Sequence, residues 1–142
     1  MHTATHHALN AYARVGAETG VMAADPHQLV LMLYEGAELA LADAKLHMTR
    51  RDIAAKGRAI SKAIMIIESG LQASLDVKAG GKLGEQLAAL YDYMCDRLLR
   101  ANLHNRPEII DEVSRLLGEL RGAWEQIRPA PPAAPAPGAT RR

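Results

Sequence analysis

Histidine, cysteine and carboxylate side chains are the groups in this 142-residue chain that could bind a metal ion or catalyse a reaction. A di-iron site in a helical bundle needs a Glu-x-x-His spacing on two helices. The residue three positions before His27, His47 and His104 is alanine in every case. Glu35 and Glu38 are three residues apart and would share a helix face, but no basic or polar residue joins them there. We therefore expect that face to be solvated.

The other candidates do not form a site either. Cys95 is the only cysteine, so a second thiolate for zinc is missing, and its place beside Met94 predicts a small buried apolar side chain. His2, His6 and His7 have no carboxylate or thiolate beside them, so no metal site is predicted there. No nucleophile, base and orienting group can be combined from this sequence. We predict a protein that is not an enzyme and that has no metal and no cofactor.

The composition favours one helical domain. Apolar residues make up 49% of the chain, with no phenylalanine, and Ala, Leu, Ile and Met among them favour helices over strands. Seventeen basic and sixteen acidic residues give a net charge of +1, so there is no electrostatic reason to expect a nucleic acid or an anionic membrane as partner. The single cysteine, the missing signal-peptide pattern and the lack of an apolar run of about 20 residues predict the cytosol, without membrane insertion.

Residues 25–37 carry the strongest local signal. Asp25 is the predicted N-cap of a helix, Pro26 stands at its first position, and Gln28 is placed as in a capping box. Residues 29–34 are then apolar or aromatic without a break. Because an α-helix has 3.6 residues per turn, six consecutive side chains cannot all lie on one stripe. This helix is therefore apolar on more than one side, and it lies in the middle of a bundle or offers surface to another chain.

Four helical patterns follow one another along the chain. We predict helices from residue 25 to about 49, from 52 to about 76, from 83 to 104 and from 107 to 127, with a loop through Gly80, Gly81 and Gly84. The second has a regular apolar seam of residues Ile53, Gly57, Ile60, Ile64, Ile67 and Leu71. Short connections between such helices predict an all-α fold, an antiparallel up-down-up-down four-helix bundle over residues 25–128.

The two ends of the chain have a different character. Residues 1–24 are predicted to be a flexible N-terminal segment, in which residues 9–12 form a short helical flap that folds only against the rest of the protein. Residues 129–142 are rich in proline and alanine and are predicted to be a disordered tail.

The order of these segments resembles the flagellar secretion chaperone family (FliS), the cytosolic chaperones of flagellin. The similarity covers about residues 10–128, and the matching segments are residues 11–12, 25–37, 62–63, 66–68, 71–76, 87–94, 98–102, 112–113 and 117–124. The family usually has serine where this chain has Asp25, and both are good N-caps. The N-terminal histidines and the tail lie outside the similarity.

The resemblance implies a protein that binds the C-terminal segment of flagellin, prevents its premature polymerisation and delivers it to the flagellar type III export apparatus. It also implies that Tyr12 lies in a region that contacts the export-gate protein. We expect the client to bind as helices in apolar grooves supplied mostly by the first two helices. The candidate client-binding residues are Tyr12, Leu33, Tyr34, Ala37, Ile60, Ala63, Ile64, Ile67 and Leu71. For each of them, packing in the bundle core is the competing interpretation.

One alternative function stays open on the sequence. A client-free helical structural adaptor, or a homodimer, would bury the surplus apolar surface against a second copy of the chain.

Overall fold

Four helices form the part of the protein that the computed structural model describes, which is residues 25–127, without the side chains of residues 77–79. Helix α1 is Pro26–Thr49 and helix α2 is Ile53–Met65, which continues as a π-helical segment, Ile66–Gln72. Helix α3 is Val77–His104 and helix α4 is Pro107–Gln126. No strand occurs in this part of the chain, so the prediction of an all-α four-helix bundle is confirmed.

Side-chain contacts between helix ends show that neighbouring helices are antiparallel. The start of α1 meets the end of α4 through His27 and Trp124, and the end of α1 meets the start of α4 through Lys45 and Asp111. The start of α2 reaches the end of α3, where Lys56 donates to the Asn102 carbonyl. Each helix therefore packs against its two neighbours in the ring α1–α2–α3–α4, while the backbones of the diagonal pairs stay apart.

The predicted helix starts of α1 and α2 are confirmed by their capping bonds. The Asp25 side chain accepts a hydrogen bond from the Gln28 backbone N–H at 2.8 Å, and Pro26 occupies the first position of α1. Asp52 accepts from the Ala55 N–H at 3.1 Å. A side-chain acceptor at this position satisfies one of the backbone N–H groups that have no partner within the helix.

The core is built from one face of every helix. The largest side chains that are fully buried are Leu33, Leu41, Ile60, Ile67, Leu71, Tyr91, Met94, Leu98, Ile110, Val113 and Leu117. Cys95 is also buried in this core, as predicted. The predicted seam of α2 is wrong at its first residue, because Ile53 is 75% exposed. It lies at the helix start, before α2 comes under cover of α1 and α3.

The second predicted helix differs from the structure in its last two turns. A regular α-helix was expected to run to Leu75 or Asp76, but the chain changes to π-helix at Ile66 and ends at Gln72. The wider turn brings Ile66 and Ile67 into the core together, beside Gly70 and Leu71. An ideal Cβ on Gly70 would lie 2.8 Å from a methyl carbon of Leu33, so this glycine allows α1 to approach closely.

The predicted glycine loop is also partly wrong. Helix α3 begins at Val77, and the Gly80 N–H donates to the Asp76 carbonyl at 2.7 Å. The break occurs at Gly81, where φ is 58° and ψ is −136°. This conformation is accessible to glycine and strained for other residues. The structure thus has one helical turn, a break, and then the long part of α3.

The predicted flap and tail lie outside the described residues, so the division into segments 1–24, 25–128 and 129–142 stays a prediction. Within residues 25–127, no helix is long and apolar enough to cross a membrane.

Replacing Asp25 by alanine removes the cap of α1, and we expect the free energy of unfolding to fall by about 1 kcal/mol. Urea denaturation followed by circular dichroism measures this. Asp43→Asn, an exposed carboxylate within the same helix, is the matched control and should change stability by less than about 0.5 kcal/mol. Equal effects of the two substitutions would contradict the capping role.

Candidate binding groove

An open cavity of about 570 Å³ lies at the end of the bundle where α1 begins and α4 ends. We call it the α1–α3 groove, because these two diagonal helices supply most of its walls. Its volume is within the range of ligand-binding clefts. Its aliphatic lining consists of Pro26, Leu29, Val30, Leu71, Leu75, Leu83 and Leu87. Tyr34, Tyr91 and Trp124 add aromatic surface, and Ser74, Asp76, Gly80 and Gly84 complete the lining.

Among the side chains that the structure describes, none fills the space between the ends of α1 and α3, which leaves the groove open. Leu83 is 64% exposed, and Val30 and Leu75 are only partly buried. A Cβ added to Gly80 would meet no atom within 4 Å. Covering these apolar walls with another molecule would be favourable, because it would remove their surface from water.

Tyr34 and Tyr91 form the floor of the groove. Their hydroxyl oxygens are 2.6 Å apart, which joins α1 to α3 across the bundle. Burial raises the pKa of both phenols above the ordinary value of 10.0, and for Tyr91 the nearby Tyr34 raises it further. Both hydroxyls are therefore protonated at physiological pH.

His27 and Trp124 hold one wall in place. The His27 Nε2–H donates to the Trp124 carbonyl at 2.8 Å, and the Trp124 indole N–H donates to the His27 carbonyl at 3.0 Å. Their rings are stacked with centroids 5.1 Å apart. Arg121, one turn before Trp124 on α4, donates to Glu38 in the middle of α1 at 2.8 Å. The His27–Trp124 contacts tie the start of α1 to the end of α4, where Trp124 lines the groove.

The structure describes eight of the nine predicted residues, and these fall into two groups. Tyr34 and Leu71 line the groove. The residues Leu33, Ala37, Ile60, Ala63 and Ile67 lie in the core, with Ile64 partly buried against it. Tyr12 is outside the described residues. A client contact at the core residues would require the bundle to open, and their assignment as client contacts stays a prediction.

Sequence reasoning missed the residues that make up most of the groove wall. Leu29 and Val30 line the groove and belong to the apolar run of residues 29–34. The sequence indicates that this run is wider than one stripe and does not indicate what it contacts. The sequence places Leu83, Leu87 and Trp124 within predicted helices and does not indicate that they face a groove. Leu83 follows the break at Gly81 by two residues and is 64% exposed, and periodicity in the sequence does not indicate that exposure.

The described residues contain no group of three or more His, Cys, Asp or Glu side chains that could hold a metal ion. Cys95 is a free, buried thiol, and burial raises its pKa to about 12. The thiolate is the nucleophilic form of cysteine, so this residue is chemically inert in the folded protein. What the geometry offers is therefore a binding surface of an all-helical protein.

Comparison with known proteins assigns this helical binding module to a class, the chaperones of flagellar secretion. The sequence model of the family described as Flagellar protein FliS matches residues 8–131. The protein named Flagellar secretion chaperone FliS in Salmonella typhimurium is 50% identical over 129 residues, which cover 91% of this chain and 94% of that protein. The protein of the same name in Escherichia coli K12 is 45% identical over 116 residues, covering 82% and 85%. That of Bacillus subtilis is 30% identical over 109 residues, covering 77% and 80%.

The chain belongs to the FliS family of flagellar secretion chaperones. Proteins of this family are chaperones and not enzymes, and they act in the biogenesis of the flagellum.

The raised pKa and the burial of Cys95 predict that iodoacetamide at pH 8 leaves the native protein unmodified, because almost none of the thiol is ionised. In urea the pKa returns to about 8.5 and modification should be complete. Mass spectrometry of both samples measures this. Rapid modification of the folded protein would show that Cys95 is more accessible than the structure indicates.

Proposed function

We propose that this protein is a cytosolic export chaperone that binds the C-terminal segment of flagellin. It keeps that segment from polymerising and delivers it to the flagellar type III export apparatus. The observation that supports this most directly is the open α1–α3 groove, an apolar surface that the described part of the chain leaves uncovered. The names of the relatives refer to a secretion chaperone, and the identity of the client follows from the family resemblance.

The groove has the chemistry that an amphipathic helix requires. Its aliphatic walls suit apolar anchors spaced at i, i+3, i+4 and i+7 along one face of a guest helix. A guest that is disordered when free loses conformational entropy on binding, so a large apolar contact is needed to offset that loss. Leu29, Val30 and Leu83 supply such contact at the rim. We propose that the buried Leu33, Ala37 and Ile67 support the floor from beneath.

A homodimer is the alternative function, and the exposed apolar surface between α2 and α3 is where its contact would form. Ile53 and Leu103 flank the same depression between the start of α2 and the end of α3, and both are exposed. Arg51 lines that depression, and Arg58 and Lys62 line the adjoining one along α2. A two-fold contact whose axis passes through this surface would bring these cations close to their copies, and like charges repel. We therefore propose that the free protein is a monomer.

Leu83→Asp should weaken binding of the flagellin C-terminal segment by at least about tenfold, because a carboxylate would be buried against apolar anchors. Isothermal titration calorimetry with that segment as a peptide measures this, and the wild type should show a large negative heat-capacity change. Leu39→Asp, on an α1 leucine that is 67% exposed and outside the groove, is the matched control.

Equal losses in the two variants would contradict the groove as the binding site. A stable dimer by light scattering that does not bind the peptide would contradict the chaperone function itself. Binding that collapses at moderate salt would also contradict an apolar contact, since salt screens charges and leaves apolar burial intact.

Deletion of residues 1–17 tests the predicted flap and the role of Tyr12. If this segment covers apolar surface in the free protein, its removal should raise the affinity for the flagellin peptide. If Tyr12 contacts the export gate, the same deletion should reduce flagellin export measured in the culture medium. Unchanged affinity together with unchanged export would refute both roles.

A further inference from the structure

The floor of the α1–α3 groove carries two hydroxyl groups within a lining that is otherwise largely apolar. Tyr34 and Tyr91 extend from diagonal helices, and their oxygens meet at 2.6 Å. Among the described residues, neither hydroxyl has another hydrogen-bond partner. The nearby Ser74 hydroxyl already donates to the Leu71 carbonyl.

A count of hydrogens shows that one donor is left over. Each neutral phenol has one O–H hydrogen, and the bond between the two oxygens uses only one of them. Whichever tyrosine donates to the other, the accepting tyrosine still has its own O–H hydrogen. Burial raises the pKa of both groups, so neither loses its proton at physiological pH. In the free protein, water that enters the open groove can accept from this O–H.

A guest that enters the groove displaces that water. If the guest is wholly apolar, the O–H is left without an acceptor, and this lowers the affinity. If the guest places an acceptor there, the hydrogen bond is restored in a site that water no longer reaches. The described lining contains Asp76 and no lysine or arginine, so a neutral acceptor fits better than a carboxylate. Backbone carbonyls inside a guest helix already accept one bond and lie behind its side chains, so a side-chain acceptor is better placed to reach this O–H.

We propose that the Tyr34–Tyr91 pair determines specificity in this groove by selecting a client helix that carries one neutral acceptor, an Asn, Gln, Ser or Thr side chain, among its apolar anchors. The proposal rests on the proposed function, in which the groove binds a client helix. It assigns to the two hydroxyls a role beyond packing and predicts which substitutions in chain and client are coupled.

Phenylalanine variants of the full-length chain distinguish two roles of the tyrosine pair. One role is to select a client with an acceptor, and the other is only to link α1 to α3. Either single variant, Tyr34→Phe or Tyr91→Phe, leaves one hydroxyl whose hydrogen can turn towards the guest, so affinity for the flagellin peptide should stay within about twofold. The double variant has no donor, and its affinity should be about 3- to 10-fold lower. If the pair only braced α1 against α3, each single variant would break that bond and would be as weak as the double variant.

Peptide variants give the second half of the test. Each Asn, Gln, Ser and Thr of the flagellin C-terminal peptide is replaced by alanine in turn. For one of these positions, the alanine peptide should bind the wild type about 3- to 10-fold more weakly than the original peptide does. The double variant should bind both peptides equally well. That position is the selected acceptor.

Tyr93→Phe is the matched control, since this tyrosine lies on the same helix, is 44% exposed and donates to Glu112 away from the groove. It should bind the peptide as the wild type does. Urea unfolding of every variant confirms that the bundle is intact.

Three results would overturn the proposal while leaving the proposed function intact. These are a double variant that binds as tightly as the wild type or tighter, single variants as weak as the double variant, and the absence of any coupled peptide position. Failure of the wild type to bind the peptide at all would instead refute the proposed function.

Discussion

The distance between diagonal helices is the constraint on which this structure depends. In a ring of four antiparallel helices each helix packs against two neighbours, while the backbones of the diagonal pairs stay apart and only side chains fill the space between them. At the level of Tyr34 and Tyr91 the side chains are long enough to meet across that space. Towards the start of α1 they are not, and the α1–α3 groove results.

The space between the diagonal helices is filled differently at the two ends of the bundle. At the end away from the groove, Lys56 is only 6% exposed and donates to the Asn102 carbonyl and the Asn105 side chain, both at 3.1 Å. A lysine there satisfies backbone carbonyls that have no partner at a helix C-terminus. At the groove end, the His27–Trp124 contact closes the side next to α4 and leaves the side next to α3 open. The groove end of the bundle therefore keeps an accessible apolar surface.

This arrangement suits a chaperone of an unfolded client. A binding surface must remain exposed in the free protein without unfolding it, so the apolar residues that face water are placed on helices held together elsewhere. The core, the caps and the contacts at both helix ends hold the four helices in place, and the groove adds little to that stability. The Tyr34–Tyr91 pair belongs to both parts, because its residues are buried in the core and also line the groove.

The sequence by itself determined that the chain is helical and where α1 and α2 start, because caps, prolines and apolar periodicity are local properties of the chain. The family followed from the resemblance of the ordered segments to known proteins. The sequence also determined that residues 29–34 are too apolar for one stripe. Only the tertiary structure decided which of them face the groove, since periodicity gives the width of an apolar face and not the neighbour that covers it. The π-helical turn at Ile66 appeared only in the folded structure, whereas the glycines of residues 80–84 had indicated an interruption near Gly81 without fixing its position. For this reason the sequence predicted Leu71 and Tyr34 as binding residues, and both line the groove. Leu83 and Trp124 were identified as groove residues only from the folded protein.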